Sequence, residues 1–214
     1  MGAKDAKMGL FLKFINQTRK PEGLLGKIML NGMNFGHAKC ADWGLSRLPA
    51  ARPAKILELG CGGGRNARAM LAAFPGSRVD AIDVSPLAVA KTAKLNAAAV
   101  AAGRCSATVG DVAGTPLPSG AYDLATAFET VYFWKDLAKC FARVRDALAP
   151  GGLFLICDES DGTDAAARQY ERMIEGMKTW TAPELEAALK EAGFSAVRTA
   201  HHDSKPWIAV VATK

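Results

Sequence analysis

The stretch ILELGCGGGRNA, Ile56–Ala67, decides the fold. An apolar run leads into Gly62-Gly63-Gly64 and then into residues that can open a helix. Glycines carry no Cβ and tolerate left-handed backbone, so a ligand can approach the chain closely there. A strand, a glycine turn and a helix start together aim free backbone N–H groups outward. A triphosphate-binding loop would end in Gly-Lys-Ser/Thr, and Gly64-Arg65-Asn66 does not. Two nucleotide patterns fit the same residues. Gly62, Gly64 and Ala67 match the dinucleotide pattern G-x-G-x-x-A, while Glu58, Gly60, Gly62 and Gly64 match E-x-G-x-G-x-G. Asp83 ends the next apolar run, 23 residues after Gly60, and can accept hydrogen bonds from ribose hydroxyls under either pattern.

Working outward, apolar runs at 55–59, 78–83, 106–110, 123–128 and 152–157 read as strands. Helical patterns lie between them at about 64–74, 86–102 and 135–148. Repeated strand–helix–strand order predicts a parallel sheet with helices on both faces. Ser85-Pro86 is an N-cap followed by proline at the first helical position, and Gly103 sits where that helix should stop. Pro150-Gly151-Gly152 marks the end of another helix before the fifth strand. Thr181 and Glu184 have capping-box spacing, and Gly193 closes the helix they begin. Runs at about 195–201 and 207–213 are joined by His202–Pro206, too short for a crossover, so the sheet should end in an antiparallel hairpin. Residues 1–50 carry two amphipathic helical patterns, about 5–18 and 23–47, split by Pro21, with Gly32 and Gly36 weakening the second. They read as a helical lid or appendage over the sheet, with one domain spanning 51–214.

The chain has 214 residues, half of them apolar, enough for one full core. No run is long enough to span a membrane. The start, MGAKDAKMGLFLKF, is too short and too charged for a signal peptide. Cys40, Cys61, Cys105, Cys140 and Cys157 are odd in number and stand singly, which suggests neither disulfides nor a zinc site. The expectation is a reduced, cytoplasmic protein, monomeric or homodimeric. Residues 1–55 hold ten Lys/Arg against three Asp/Glu, so the formal charge of +6 belongs to the N-terminal quarter. That balance fits a solvated helix face, a lid attracting an anion, or a weak nucleic-acid or membrane-surface patch.

Gly110-Asp111-Val112 follows the third strand, and YDLATAF and LAPGGLFLI carry the fourth and fifth. With ELGCGGG, AIDVS, GDV and LAPGG in this order, residues 53–214 resemble the class I S-adenosylmethionine-dependent methyltransferases of the small type 11/25 kind. The resemblance implies a Rossmann-like, doubly wound, mostly parallel seven-stranded sheet. It implies S-adenosyl-L-methionine as cofactor and S-adenosyl-L-homocysteine as product. It further implies that Gly60, Gly62 and Gly64 let the methionine and ribose part lie on the backbone, with Cys61 filling a variable loop position. Glu58 would order the loop from beneath, Asp83 would take the ribose hydroxyls, and Val84 would pack on the adenine. Asp111 and Val112 N–H would hold the adenine edge, and the Phe128 carbonyl the methionyl ammonium.

Methyl transfer needs little acid–base help when the acceptor is already a thiolate, carboxylate or amine; an alcohol or phenol needs a base. Candidate residues follow the fourth strand: Glu129, Thr130, Tyr132, Phe133 and Trp134. The Asn/Asp-Pro-Pro-aromatic motif of DNA-base methylation is absent there. His37 in NFGHAKC is the single histidine of the appendage and a usable base, so His37, Glu129 and Tyr132 are the catalytic candidates. Asp158, Glu159 and Asp161 read as a solvated acidic loop, and no metal is expected. His201 and His202 face opposite ways on a strand and read as structural. Trp43 reads as core or as a lid contact; Met29 and Met33 pack on the sheet or line the pocket. The expected acceptor is a small organic molecule. An NAD(P)-binding oxidoreductase, an RNA methyltransferase using the basic N-terminal segment, and a non-catalytic binding module stand as alternatives.

Overall fold

The computed structural model describes the backbone of residues 3–214 and the side chains of residues 8–214; Met1 and Gly2 of the expected appendage lie outside the described residues. Seven strands form one sheet in the order β3-β2-β1-β4-β5-β7-β6. They are β1 (Lys55–Leu59), β2 (Arg78–Asp83), β3 (Cys105–Val109), β4 (Tyr122–Phe128), β5 (Leu148–Asp158), β6 (Ala196–His201) and β7 (Ile208–Thr213). The first five run parallel, while β7 is antiparallel to both β5 and β6. The expected hairpin is therefore present, with its second strand inserted next to β5. Strand order reverses between β1 and β4, where both carboxyl ends open onto one crevice; ligands of such sheets bind there.

Alternation along each strand builds two layers. Leu57, Leu59, Ala125, Ala127, Phe154 and Ile156 face α7 (Leu137–Ala147) and α9 (Ala182–Glu191). Ile56, Leu124, Phe128, Leu155 and Cys157 face α3 (Ala38–Leu45) and α4 (Arg65–Ala73). Central β1 and β4 are buried on both faces, as a covered parallel sheet requires, and β6 at the edge is largely open.

Several expectations shift. The helix expected at 86–102 breaks into α5 (Pro86–Leu95) and α6 (Ala97–Ala101), because the Asn96 side chain turns inward to donate to Gly64 O and Thr92 O. Pro150 and Gly151 do not end a helix: α7 stops at Ala147, and both residues lie inside β5, where the register with β4 slips. The sequence reading omitted α8 (Ala165–Met173), a polar helix that buries only Ala167 and is capped by Asp164.

The N-terminal pattern resolves into α1 (Ala3–Ile15), a 3-10 turn at Asn16–Thr18, α2 (Gly23–Gly36) and α3, which begins after His37. This array covers the open carboxyl end of the sheet. Ser85 Oγ donates to Pro21 O at 2.6 Å, and Asn16 bridges to Met173 O and Glu175 N at 3.1 and 2.9 Å. On the β5 side α3 fits closely, since a Cβ on Gly44 would lie 2.5 Å from Cys157 Sγ. Trp43 packs with His202 and Trp207, so it is a core contact to the terminal hairpin, and His202 is structural as expected. Among the described residues no helix is long and apolar enough to cross a membrane.

Candidate functional site

Gly60, Gly62 and Gly64 all adopt left-handed φ, at 77°, 51° and 81°. The E-x-G-x-G-x-G spacing is thus a backbone requirement at each glycine. The loop is braced from several sides. Gly60 and Cys61 N–H donate to Ile82 O. Thr92 Oγ1 donates to Gly62 O at 3.1 Å, and Asn96 Nδ2 to Gly64 O at 3.1 Å. Gly63 has its own reason for lacking a side chain: a Cβ there would lie 2.2 Å from Asn34 Nδ2, which donates to Gly63 O. Helix α2 therefore rests directly on the glycine loop.

Asp83 holds this loop to β2. Its Oδ2 accepts Gly62 N–H at 2.9 Å and its Oδ1 accepts Ser85 N–H at 2.8 Å. Burial raises the Asp83 carboxyl, and those two N–H groups oppose the rise. Glu58 lies beneath, fully buried, with Oε2 unpartnered. Burial first, and the Asp83 charge second, push its carboxyl up to about 8.

A cavity of about 630 Å³ opens above the β1/β4 crevice. Gly60, Gly62, Asp83, Val84, Asp111, Val112 and Phe128 line it, whereas Glu58, Cys61 and Gly64 lie behind the wall. Cys61 is buried and receives the Thr92 hydroxyl at 3.3 Å. Val84 is an exposed apolar side chain on the cavity floor. The Asp111–Thr115 turn is pinned by Arg143, which donates to Val112 O and Thr115 O at 2.7 and 2.5 Å. Across the cavity, Asn16, Thr18, Arg19, Lys20, Pro21 and Met33 form the roof. Met29 lies behind it and accepts the Thr18 hydroxyl. Sequence reasoning missed Asn34, Thr92, Asn96 and Arg143. None carries a motif, and each acts on a loop distant in sequence, three from helices and Asn96 from the break between α5 and α6.

The catalytic candidates converge at the end of β4. Glu129 has φ +54°, the one positive value among the described non-glycine residues, and it lines the cavity. Its Oε1 accepts Glu159 N–H, and its Oε2 receives the Tyr132 hydroxyl at 3.3 Å. His37 Nδ1 stands 3.7 Å from Glu129 Oε2 and 3.2 Å from Glu159 Oε2. His37 and Tyr132 sit behind Glu129 rather than on the cavity wall. Burial chiefly drives the Glu129 carboxyl and the Tyr132 phenol well above their ordinary ranges. Burial alone would lower the His37 imidazole, but Glu159 and Glu129 outweigh it and hold it above its ordinary value. The acidic segment after β5 is not a uniformly solvated loop. Asp158 is buried, its carboxyl pushed up to about 7 by burial, and Glu159 turns toward His37. Only Asp161 keeps to its own turn, accepting from Thr163.

Residues 56–152 match a family model described as a methyltransferase domain. Over 164 residues the chain is 28% identical to a malonyl-[acyl-carrier protein] O-methyltransferase of Geobacter sulfurreducens, covering 71% of this chain and 59% of the relative. Over 138 residues it is 29% identical to a trans-aconitate 2-methyltransferase of Methylobacterium radiotolerans, covering 64% and 50%. It thus spans between half and six tenths of the length of these curated relatives. Among solved structures, phospholethanolamine N-methyltransferase 2 of Haemonchus contortus, in complex with phosphomonomethylethanolamine and S-adenosylhomocysteine, superimposes with a TM-score of 0.76 at 17% identity, over 94% of this chain and 60% of that one.

Proposed function

Because the chain belongs to the class I S-adenosylmethionine-dependent methyltransferases, we propose that it methylates a small organic acceptor held between the N-terminal roof and the end of β4. The observation that carries this reading is the joining of a left-handed glycine cradle and an Asp83 clamp to a cavity whose opposite wall presents Glu129.

The residues present fit the cofactor. The cradle lets a ligand reach the backbone at Gly60 and Gly62, where no side chain intervenes. Asp83 uses one lone pair of each oxygen on the protein and keeps others for two ribose hydroxyls. Val84 would offer an apolar face to the adenine, Asp111 and Val112 would hold its edge, and the Phe128 carbonyl would take the methionyl ammonium. The unpartnered Glu58 Oε2 is the loop's unused acceptor, reachable through an ordered water. When bound, the cofactor supplies an electrophilic methyl group on a sulfonium.

The protein's remaining work is positioning and proton handling. Residues 1–50, acting as a lid, exclude water and hold the acceptor in line, which can provide much of the rate. For a hydroxyl acceptor, Glu129 is the group placed to take the proton. His37 and Tyr132 position its carboxylate from behind and share the charge. For a carboxylate acceptor the same wall needs no base. Arg19, Lys20, Lys135 and Lys139 line the cavity and suit an acceptor with an acidic group. Both curated relatives are named for acceptors that carry carboxyl groups, which supports the same class.

Thermal unfolding with S-adenosylmethionine, S-adenosylhomocysteine, NAD and NADP tests the donor side. At 100 times its dissociation constant a ligand adds about 2.7 kcal/mol. Both adenosyl-sulfur compounds should stabilise the wild type and fail to stabilise Asp83→Ala. Stabilisation by a nicotinamide cofactor alone, or by none of the four, would overturn the reading. Transfer of a labelled methyl group to a panel of small carboxylic acids, phenols and amines then identifies the acceptor.

A further inference from the structure

We propose that His37, Glu129 and Glu159 form a binding site for one divalent transition-metal ion at the acceptor end of the cavity. The three residues come from the α2–α3 junction, the end of β4 and the end of β5, and one ligand atom from each lies within 4.8 Å of the other two. The His37 Nδ1 distances to the carboxylate oxygens are 3.2 and 3.7 Å. Ligands bonded at about 2.1 Å to one ion stand about 3.0 Å apart at octahedral angles and about 3.4 Å apart at tetrahedral ones. The two His37 distances bracket the tetrahedral value, and the two carboxylates lie within 4.8 Å of each other.

Hydrogen-bond alignment points the same way. His37 Nδ1 is buried and makes no aligned hydrogen bond, although two carboxylate oxygens stand before it. Asp158, the residue before Glu159 at the end of β5 and more than nine-tenths buried, adds a third carboxyl with Oδ1 unpartnered. Two carboxylates thus face one imidazole, and a divalent ion would balance their charge. The support is rigid. Glu129 holds its strained backbone with N–H bonded to Cys157 O, and it spends Oε1 on Glu159 N–H. Its Oε2 is left for a metal, steadied by the Tyr132 hydroxyl. One imidazole and two carboxylates favour Mn²⁺, Fe²⁺, Co²⁺ or Zn²⁺ over Mg²⁺ or Ca²⁺. Glu129 alone of the three lines the cavity, so an ion held by all three would lie behind that wall and fix the Glu129 carboxylate that faces the acceptor. That last role rests on the proposed methyl transfer; metal binding itself does not.

The test is titration of chelator-treated protein with Mn²⁺, Co²⁺ and Zn²⁺ by calorimetry, with Co²⁺ absorption as the spectroscopic readout. One equivalent should bind, and His37→Gln and Glu159→Gln should each weaken it roughly tenfold or more. The His201→Gln/His202→Gln double variant should bind as the wild type does. Absence of a saturable single equivalent, or equal affinity in wild type and both site variants, would overturn the proposal. If the site variants do not fold, Mn²⁺ spin-echo spectra of ¹⁵N-histidine-labelled double variant decide, because His37 is then its sole histidine. A directly bound nitrogen supports the site, and its absence refutes it. Failure of S-adenosylmethionine binding would leave these readouts intact, so the two readings fail separately.

Discussion

The two walls of the cavity are built by opposite means. The donor wall is short-range backbone: three left-handed glycines within five residues, closed by an aspartate at the end of the neighbouring strand. The acceptor wall is long-range side chain: His37 meets Glu129 and Glu159 across 92 and 122 positions of sequence. A conformation that only glycine tolerates leaves a mark in sequence. A carboxylate that gains meaning from a distant imidazole does not.

The largest expected effect falls on the donor wall. Gly64 has φ 81°, and a Cβ there would lie 2.6 Å from Thr92 Cα. Gly64→Ala should cost about 2–5 kcal/mol, combining the left-handed penalty with overpacking against backbone. Urea denaturation measures it; a loss below about 1 kcal/mol would mean that α5 yields and that the loop is not locally determined.

Next comes a pH effect at Glu58. Its carboxyl titrates near 8 in the fold, against an ordinary value of 4.5. The folded chain therefore holds a proton that the unfolded chain releases between those pH values. Stability from this group is full below about pH 4.5 and falls until pH passes about 8. Glu58→Gln removes that slope, so the variant should gain on the wild type by about 2–4 kcal/mol between pH 5 and pH 9. Parallel stability curves for the two proteins would contradict the buried, unpartnered carboxyl.

The smallest effect tests the join between the walls. Asn34 ties α2 to Gly63 by one partly exposed hydrogen bond. Asn34→Ala should cost about 1 kcal/mol of stability. Amide exchange in α2 should nevertheless speed up while exchange in β1 and β4 is unchanged. Equal acceleration in all three would show that roof and sheet open as one unit.

How far the site could be read from sequence follows from the same contrast. Strands β1 and β2 were read to the residue because their apolar runs are bounded by turn chemistry. The single helix expected at 86–102 failed because the preference of Asn96 for bonding to Gly64 overrides helical continuity. Helix α8 was missed because it is short and polar overall, and its thin apolar stripe buries a single alanine. At the acceptor wall the residue types were found, but the acidic segment was read as solvated. Nothing local to Asp158 and Glu159 announces that α3 covers them.

By itself the sequence determined the succession of the seven strands, the glycine cradle and the aspartate that clamps it. These depend on backbone conformation and on neighbours a few residues away. Only the tertiary structure decided which candidates face the cavity, why Gly63 must be bare, and that an imidazole and two carboxylates share one small volume. Those outcomes depend on how α2 and α3 pack over the sheet, and packing between remote segments is set by shape and burial that no single stretch encodes.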